Sequence, residues 1–230
     1  MWMPKERGPV PETSPTARSA FLGAASLTRV VEGWEVPTGD ASGAVTLADL
    51  SGLAKVLVKG PAAGPTATRM ATAMGTRFGR AAWDGDRLVT GAAPGEWLVL
   101  GPRGTGGATV DHFRTALASV TEDLVTVMGL THGRALLRVH GPATMLLLRR
   151  LTALDLDDRF VPDGSALRTS VAAVVTDVVR DDVAGSPSYL LHCERSSGRY
   201  LLDTLLAAGE DLGAQLQDGH PSWGGLETSR

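Results

Sequence analysis

The sequence predicts an α+β fold, and three observations predict it. Short apolar runs, Ala54 to Val58, Glu96 to Leu100 and Tyr189 to Cys193 among them, have the length and residue types of strands. Other runs repeat at three and four residues, as amphipathic helices do: Val110, Phe113, Leu117 and Val120 form one stripe, and Leu201, Leu202, Leu205 and Leu206 another. The two kinds of segment alternate irregularly, with hairpin-length links such as Asp181-Asp182 to Ser188, which argues against a regular parallel sheet.

Taken in order, Ala54 to Val58 reads as a strand ended by Gly60-Pro61-Ala62, with the proline suited to the first turn of a following helix. Glu96 to Leu100 is a strand bounded by Pro94-Gly95 and Gly101-Pro102, and the Val110 helix separates it from another strand at Leu124 to Met128. Ala135 to Val139 is a strand, and Gly141-Pro142-Ala143 opens a helix through Leu151. One strand is expected over Val171 to Val179 and one over Tyr189 to Cys193. The last helix follows, and Gly209 is placed to end it in the left-handed conformation. Aligning the two Gly-Pro-Ala steps also aligns Gly52 with Gly133, the pattern that two similar strand-helix units would leave.

Composition bounds the rest. A chain of 230 residues with 43% hydrophobic and 20% charged residues can bury a sizeable core, so a globular protein is expected. The folded part is expected over residues 19–215, between flexible tails at 1–18 and 216–230. A net charge of -3 gives no field that would gather a polyanion or an anionic membrane. Arginine carries most of the positive charge while Ile and Asn are absent, a bias that fits GC-rich coding and needs no phosphate ligand. Cys193 is the single cysteine, so no intrachain disulfide can form and a reducing compartment fits. With neither a secretory leader pattern nor an apolar run long enough to span a bilayer, a cytoplasmic location is expected.

Several motifs admit both a chemical role and a plainer one. The glycine-rich stretch Gly101 to Gly107 precedes a helix but matches neither nucleotide fingerprint, and is expected to be a surface loop. Asp84-Gly85-Asp86 and Asp155-Leu156-Asp157-Asp158 read as turns rather than metal or proton-sharing sites. His112, His132, His140, His192 and His220 are scattered, which excludes a one-turn metal pair, and no Gly-x-Ser-x-Gly elbow supports a hydrolase. Cys193 ends an apolar strand, the usual place of a buried inert thiol. Trp97 can stack on a ligand or pack a core. In Thr131-His132-Gly133-Arg134 the arginine can clamp a carboxylate through two hydrogen bonds, or simply face solvent.

Several segments in series resemble a known family. Ala48 to Val56 and Val58-Lys59-Gly60-Pro61 look like the opening of the glycine-cleavage T-protein. Pro94-Gly95-Glu96-Trp97-Leu98-Val99-Leu100-Gly101-Pro102, Gly133 to Ala143, Leu154-Asp155-Leu156, Glu194-Arg195-Ser196 and Tyr200 to Leu206 resemble the gamma subunit of heterotetrameric sarcosine oxidase. The resemblance implies a folate-binding T-protein-like α+β domain without the C-terminal barrel of full aminomethyltransferases. It also implies an accessory, mainly structural subunit of an oxidase that demethylates sarcosine or a similar N-methyl amine. On that reading flavin, NAD and tetrahydrofolate belong to larger flavoprotein partner subunits, and none is bound by this chain alone.

Departures from the family pattern fall at two places. The acid that assists folate chemistry has no equivalent in Gly79 to Val89, where Asp84 sits in a turn, and Gly185 to Tyr189 replaces the segment that supplies a folate-binding Glu. The Lys-Gly-Cys motif of related iron-sulfur maintenance proteins is absent. No catalytic residue and no metal ligand is therefore assigned, and Trp97, Arg134 and Arg195 are the candidate cofactor contacts. The alternative is a free-standing tetrahydrofolate-binding, aminomethyltransferase-like protein.

Overall fold

The computed structural model describes residues 16–23, 27–39, 43–217 and Trp223. A small sheet comes first: strands β1 (Ala17–Arg18), β2 (Thr28–Val31) and β3 (Trp34–Pro37) lie in the order β1-β3-β2. After β4 (Val45–Asp49), the chain passes twice through one sequence of elements. The first pass is β5 (Ala54–Lys59), α1 (Gly64–Ala73), β6 (Ala81–Asp84), β7 (Arg87–Ala93), β8 (Glu96–Gly101), α2 (Gly106–Ala118) and β9 (Thr126–Gly129). The second is β10 (Arg134–His140), α3 (Thr144–Arg149), β11 (Ala166–Val171), β12 (Val174–Arg180), β13 (Ser188–Glu194), α4 (Arg195–Ala208) and β14 (Ala214–Leu216).

The sheets repeat the same plan. The first pass gives the order β6-β7-β8-β5-β9 and the second β11-β12-β13-β10-β4-β14, with β4 inserted between β10 and β14. The strand-helix units suggested by the two Gly-Pro-Ala steps are thus the openings of two like halves.

Period two along each strand divides its side chains between two cores. Val56, Val58, Trp97 and Val99 pack against Met70 of α1 and Phe113 and Leu117 of α2. Ala135, Leu137, Val139, Tyr189 and Leu191 pack on the other side against Leu147 of α3 and Leu201 and Leu205 of α4. The intervening residues Leu88, Leu98, Leu100, Leu136, Val179 and Leu190 meet in a third core between the two sheets. The order of layers is helices, sheet, sheet, helices.

Four expectations are corrected. The first helix opens at Gly64, with Pro65 in its first turn, so the helix-starting proline is not Pro61. Val171 to Val179 is a hairpin rather than one strand, because Ala172 and Ala173 turn the chain with φ of 51° and 63°. Gly209 caps α4 at φ -105°, and the left-handed position falls to Gly213 at φ 66°. β1 lies within the expected N-terminal tail, and β14 runs one residue past the expected C-terminal boundary, since Ala17 and Arg18 pair with Trp34 and Glu35 and Leu216 pairs with Leu47. Residues 1–15 of the expected tails, and those after Gln217 other than Trp223, lie outside the described residues. No helix among the described residues is long and apolar enough to cross a membrane.

Candidate functional site

The space between the sheets changes character along its length. At one end leucines fill it. At the other, the same inward parity carries Lys59, Glu96, Arg134, Arg168, Asp177, His192 and Glu194 around a cavity of about 280 Å³, walled also by Leu57, Leu98 and Leu130. Strand parity explains the clustering: Leu57 and Lys59 share a face of β5, Glu96 and Leu98 a face of β8, and Leu190, His192 and Glu194 a face of β13.

Most of these charges are paired. Glu96 contacts Lys59 at 2.5 Å and Arg168 at 3.0 Å, and so ties β5 to β11. Arg168 also donates to both oxygens of Asp177, at 2.6 and 3.3 Å. Asp177 and the Nδ1 of His192 are 3.2 Å apart. Arg134 contacts Glu194 across the β10–β13 pair at 2.5 Å.

The electrostatics follow from burial and partners. Burial disfavours charge on Asp177, yet hydrogen bonds from His192 and Arg168 outweigh it and hold the carboxyl below its usual range. Desolvation likewise opposes the charge of Glu96, and Lys59 and Arg168 overcome it. For His192 burial wins, and the imidazole is held below its ordinary pKa despite Asp177. Its Nε2 is buried without a hydrogen-bond partner.

The three sequence candidates do not meet. Trp97 is buried on the helix side of its sheet, where Nε1 donates to the Thr76 carbonyl at 3.1 Å, so core packing accounts for it. Arg195 lies at the start of α4 and donates to the carbonyl of Arg18, beside a shallow depression. Arg134 alone reaches the cavity. Asp177 and His192 escaped sequence reasoning because neither belongs to a motif, and the only available signal was their place on strands of matching parity.

The acidic motifs are turns, as expected, whereas the glycine-rich stretch is not all loop: Gly101 ends β8, Gly106 and Gly107 open α2, and only residues 102–105 link them. Asp84 to Arg87 is a hairpin tip with Gly85 at φ 59°. The Asp155 and Asp157 side chains accept from nearby backbone N–H groups. No group of three or more metal-binding side chains occurs among the described residues. Cys193 is buried, and desolvation pushes its thiol up to about 11.

Two like α/β halves stacked sheet to sheet, with an ion-lined cavity between them, define a duplicated α+β domain. The sequence profile of the GCVT N-terminal domain family matches residues 31–217, and the chain belongs to that family. A chain of heterotetrameric sarcosine oxidase from Corynebacterium sp. U-96, solved in complex with pyrrole 2-carboxylate, superposes with a TM-score of 0.62 at 22% identity, covering 76% of this chain and 89% of that one. Glycine cleavage system aminomethyltransferase T from Bartonella henselae superposes with a TM-score of 0.62 at 15% identity, covering 85% of this chain and 56% of that one. No curated protein sequence matches the chain significantly. The resemblance carried by Pro94 to Pro102 and Gly133 to Ala143 is borne out at the level of family and fold.

Proposed function

We propose that the chain is an accessory, gamma-like subunit of a flavin-dependent oxidase acting on sarcosine or a similar N-methyl amine in folate-linked one-carbon metabolism. The observation that carries this reading is one of extent. The likeness accounts for 89% of a chain of heterotetrameric sarcosine oxidase but only 56% of an aminomethyltransferase.

The cavity supports placing tetrahydrofolate on a partner subunit. A pterin ring needs carboxylates open to its donors, and Glu96, Asp177 and Glu194 are each engaged by a cation. A space of about 280 Å³ is also at the lower limit for a ligand of that size. The residues present do not fit the group.

Coexpression with flavoprotein subunits encoded beside the chain tests the reading. Coelution with a yellow, amine-oxidising complex is expected, together with loss of assembly when the chain is omitted. An oxidase that assembles and turns over without the chain would overturn it. So would strong quenching of tryptophan emission by tetrahydrofolate in the isolated protein.

A further inference from the structure

One buried polar atom of a residue that lines the cavity lacks a hydrogen-bond partner. The His192 side chain is 5% exposed, and its Nε2 has no partner. Asp177, held on both oxygens by Arg168, is ionised and can only accept, so the His192 proton resides on Nδ1 and Nε2 presents a lone pair. A buried acceptor without a donor is destabilising, and a ligand donor would recover that loss.

A second unmet group lies beside it. Arg134 shares a face of β10 with Leu136, the residue that pairs with His192 across to β13. It is close enough to His192 to disfavour protonation of the ring. Its guanidinium contacts Glu194, and no second carboxylate among the described residues forms an ion pair with it. Lys55, another cation near the ring, directs its Nζ to the carbonyls of Ser51 and Leu53. The cavity therefore offers an anion clamp next to a neutral acceptor, with carboxylates around both.

We propose that this cavity binds a small α-amino carboxylate, its carboxylate on Arg134 and one N–H donated to Nε2 of His192. A hydroxy acid would supply the same hydrogen bond, but a cationic donor also gains from the charge of Asp177 behind the ring without displacing Arg168 from it. The volume suits an amino acid with a small side chain rather than a larger molecule. This site is independent of any partner subunit, so its test leaves the accessory reading untouched.

The experiment is a titration of the full chain, with histidine ring nitrogens labelled for NMR, against glycine, glycolate, acetate and N,N,N-trimethylglycine. Glycine should shift the His192 Nε2 resonance saturably. Acetate and trimethylglycine, which lack the donor, should bind at least about tenfold more weakly, with glycolate between. Arg134→Met should weaken glycine by at least about tenfold while leaving the other ring resonances in place. His192→Gln, whose amide oxygen can still accept, should retain part of the affinity. Equal binding of trimethylglycine and glycine would overturn the proposal. Unchanged affinity in the Arg134→Met chain, or no response of His192 up to tens of millimolar glycine, would do the same.

Discussion

Trp34 and His132 lie face to face, with ring centroids 5.0 Å apart and planes 5° from parallel. The stack fastens the small N-terminal sheet to the turn that precedes β10, and Arg103 adds a second tether through Glu32. Trp34 is buried, so Trp34→Ala is expected to cost about 3 kcal/mol, whereas His132→Ala should cost about 1 kcal/mol. Urea denaturation of both variants and of the double variant gives the coupling. A sum of single losses equal to the double loss would show that the rings do not interact.

Asp181 joins the two large sheets. One oxygen accepts from Trp83 Nε1 of β6 at 3.0 Å and the other from Arg138 Nη2 of β10 at 2.6 Å, while Arg138 also reaches Ser188 at 2.7 Å. Asp181→Ala leaves a nearly buried guanidinium without its counterion, and a loss of about 3–5 kcal/mol is expected in a thermal or urea melt. Asp181→Asn keeps an acceptor and should lose less.

The β11–β12 hairpin turns on two alanines with positive φ, a conformation that side-chain-bearing residues adopt at a cost. Ala173→Gly relieves that strain and is expected to stabilise the protein by about 1 kcal/mol, read from the denaturation midpoint. A lower midpoint would mean that the glycine's gain in unfolded-state entropy dominates.

Lys55 is buried, and desolvation brings it from 10.5 down to about 7 despite Asp49. Below about 7 the lysine is charged in both states and the burial penalty is full. From about 7 towards 10.5 the unfolded chain holds a proton that the folded chain has released, so stability rises with pH, by at most about 1.4 kcal/mol per unit. Cys193, raised to about 11, acts in the opposite direction above its ordinary value of 9.0, so the interval from pH 7 to 9 isolates the lysine. Urea midpoints should climb across it, and Lys55→Met should flatten the profile.

Elements whose signal lies in their own residues were legible: β5, β8, β10 and the stripes of α2 and α4 appear where period and turn residues put them. The hairpin at Ala172-Ala173 was not, because alanine carries no turn signature and the flanking valines read as one continuous strand. Arg134 was named from its turn. The cavity itself was beyond reach, since Asp177 and Arg168 become neighbours only through the register of β11 on β12, and His192 joins them through β12 on β13. Trp97 shows the converse: local sequence marked a junction, while parity sent the indole to the helix side.

The insertion of β4 into the second half has a consequence for the order of assembly. The five-stranded half closes through neighbours within one stretch of chain, and it can form during synthesis while the remainder is still being made. The six-stranded half cannot. Its strand β10 pairs with residues made long before it, and Val45 of β4 finds its parallel partner only at Ala214. Until Ala214 to Leu216 are made, β4 has one unpaired edge and the six-stranded sheet lacks its last strand.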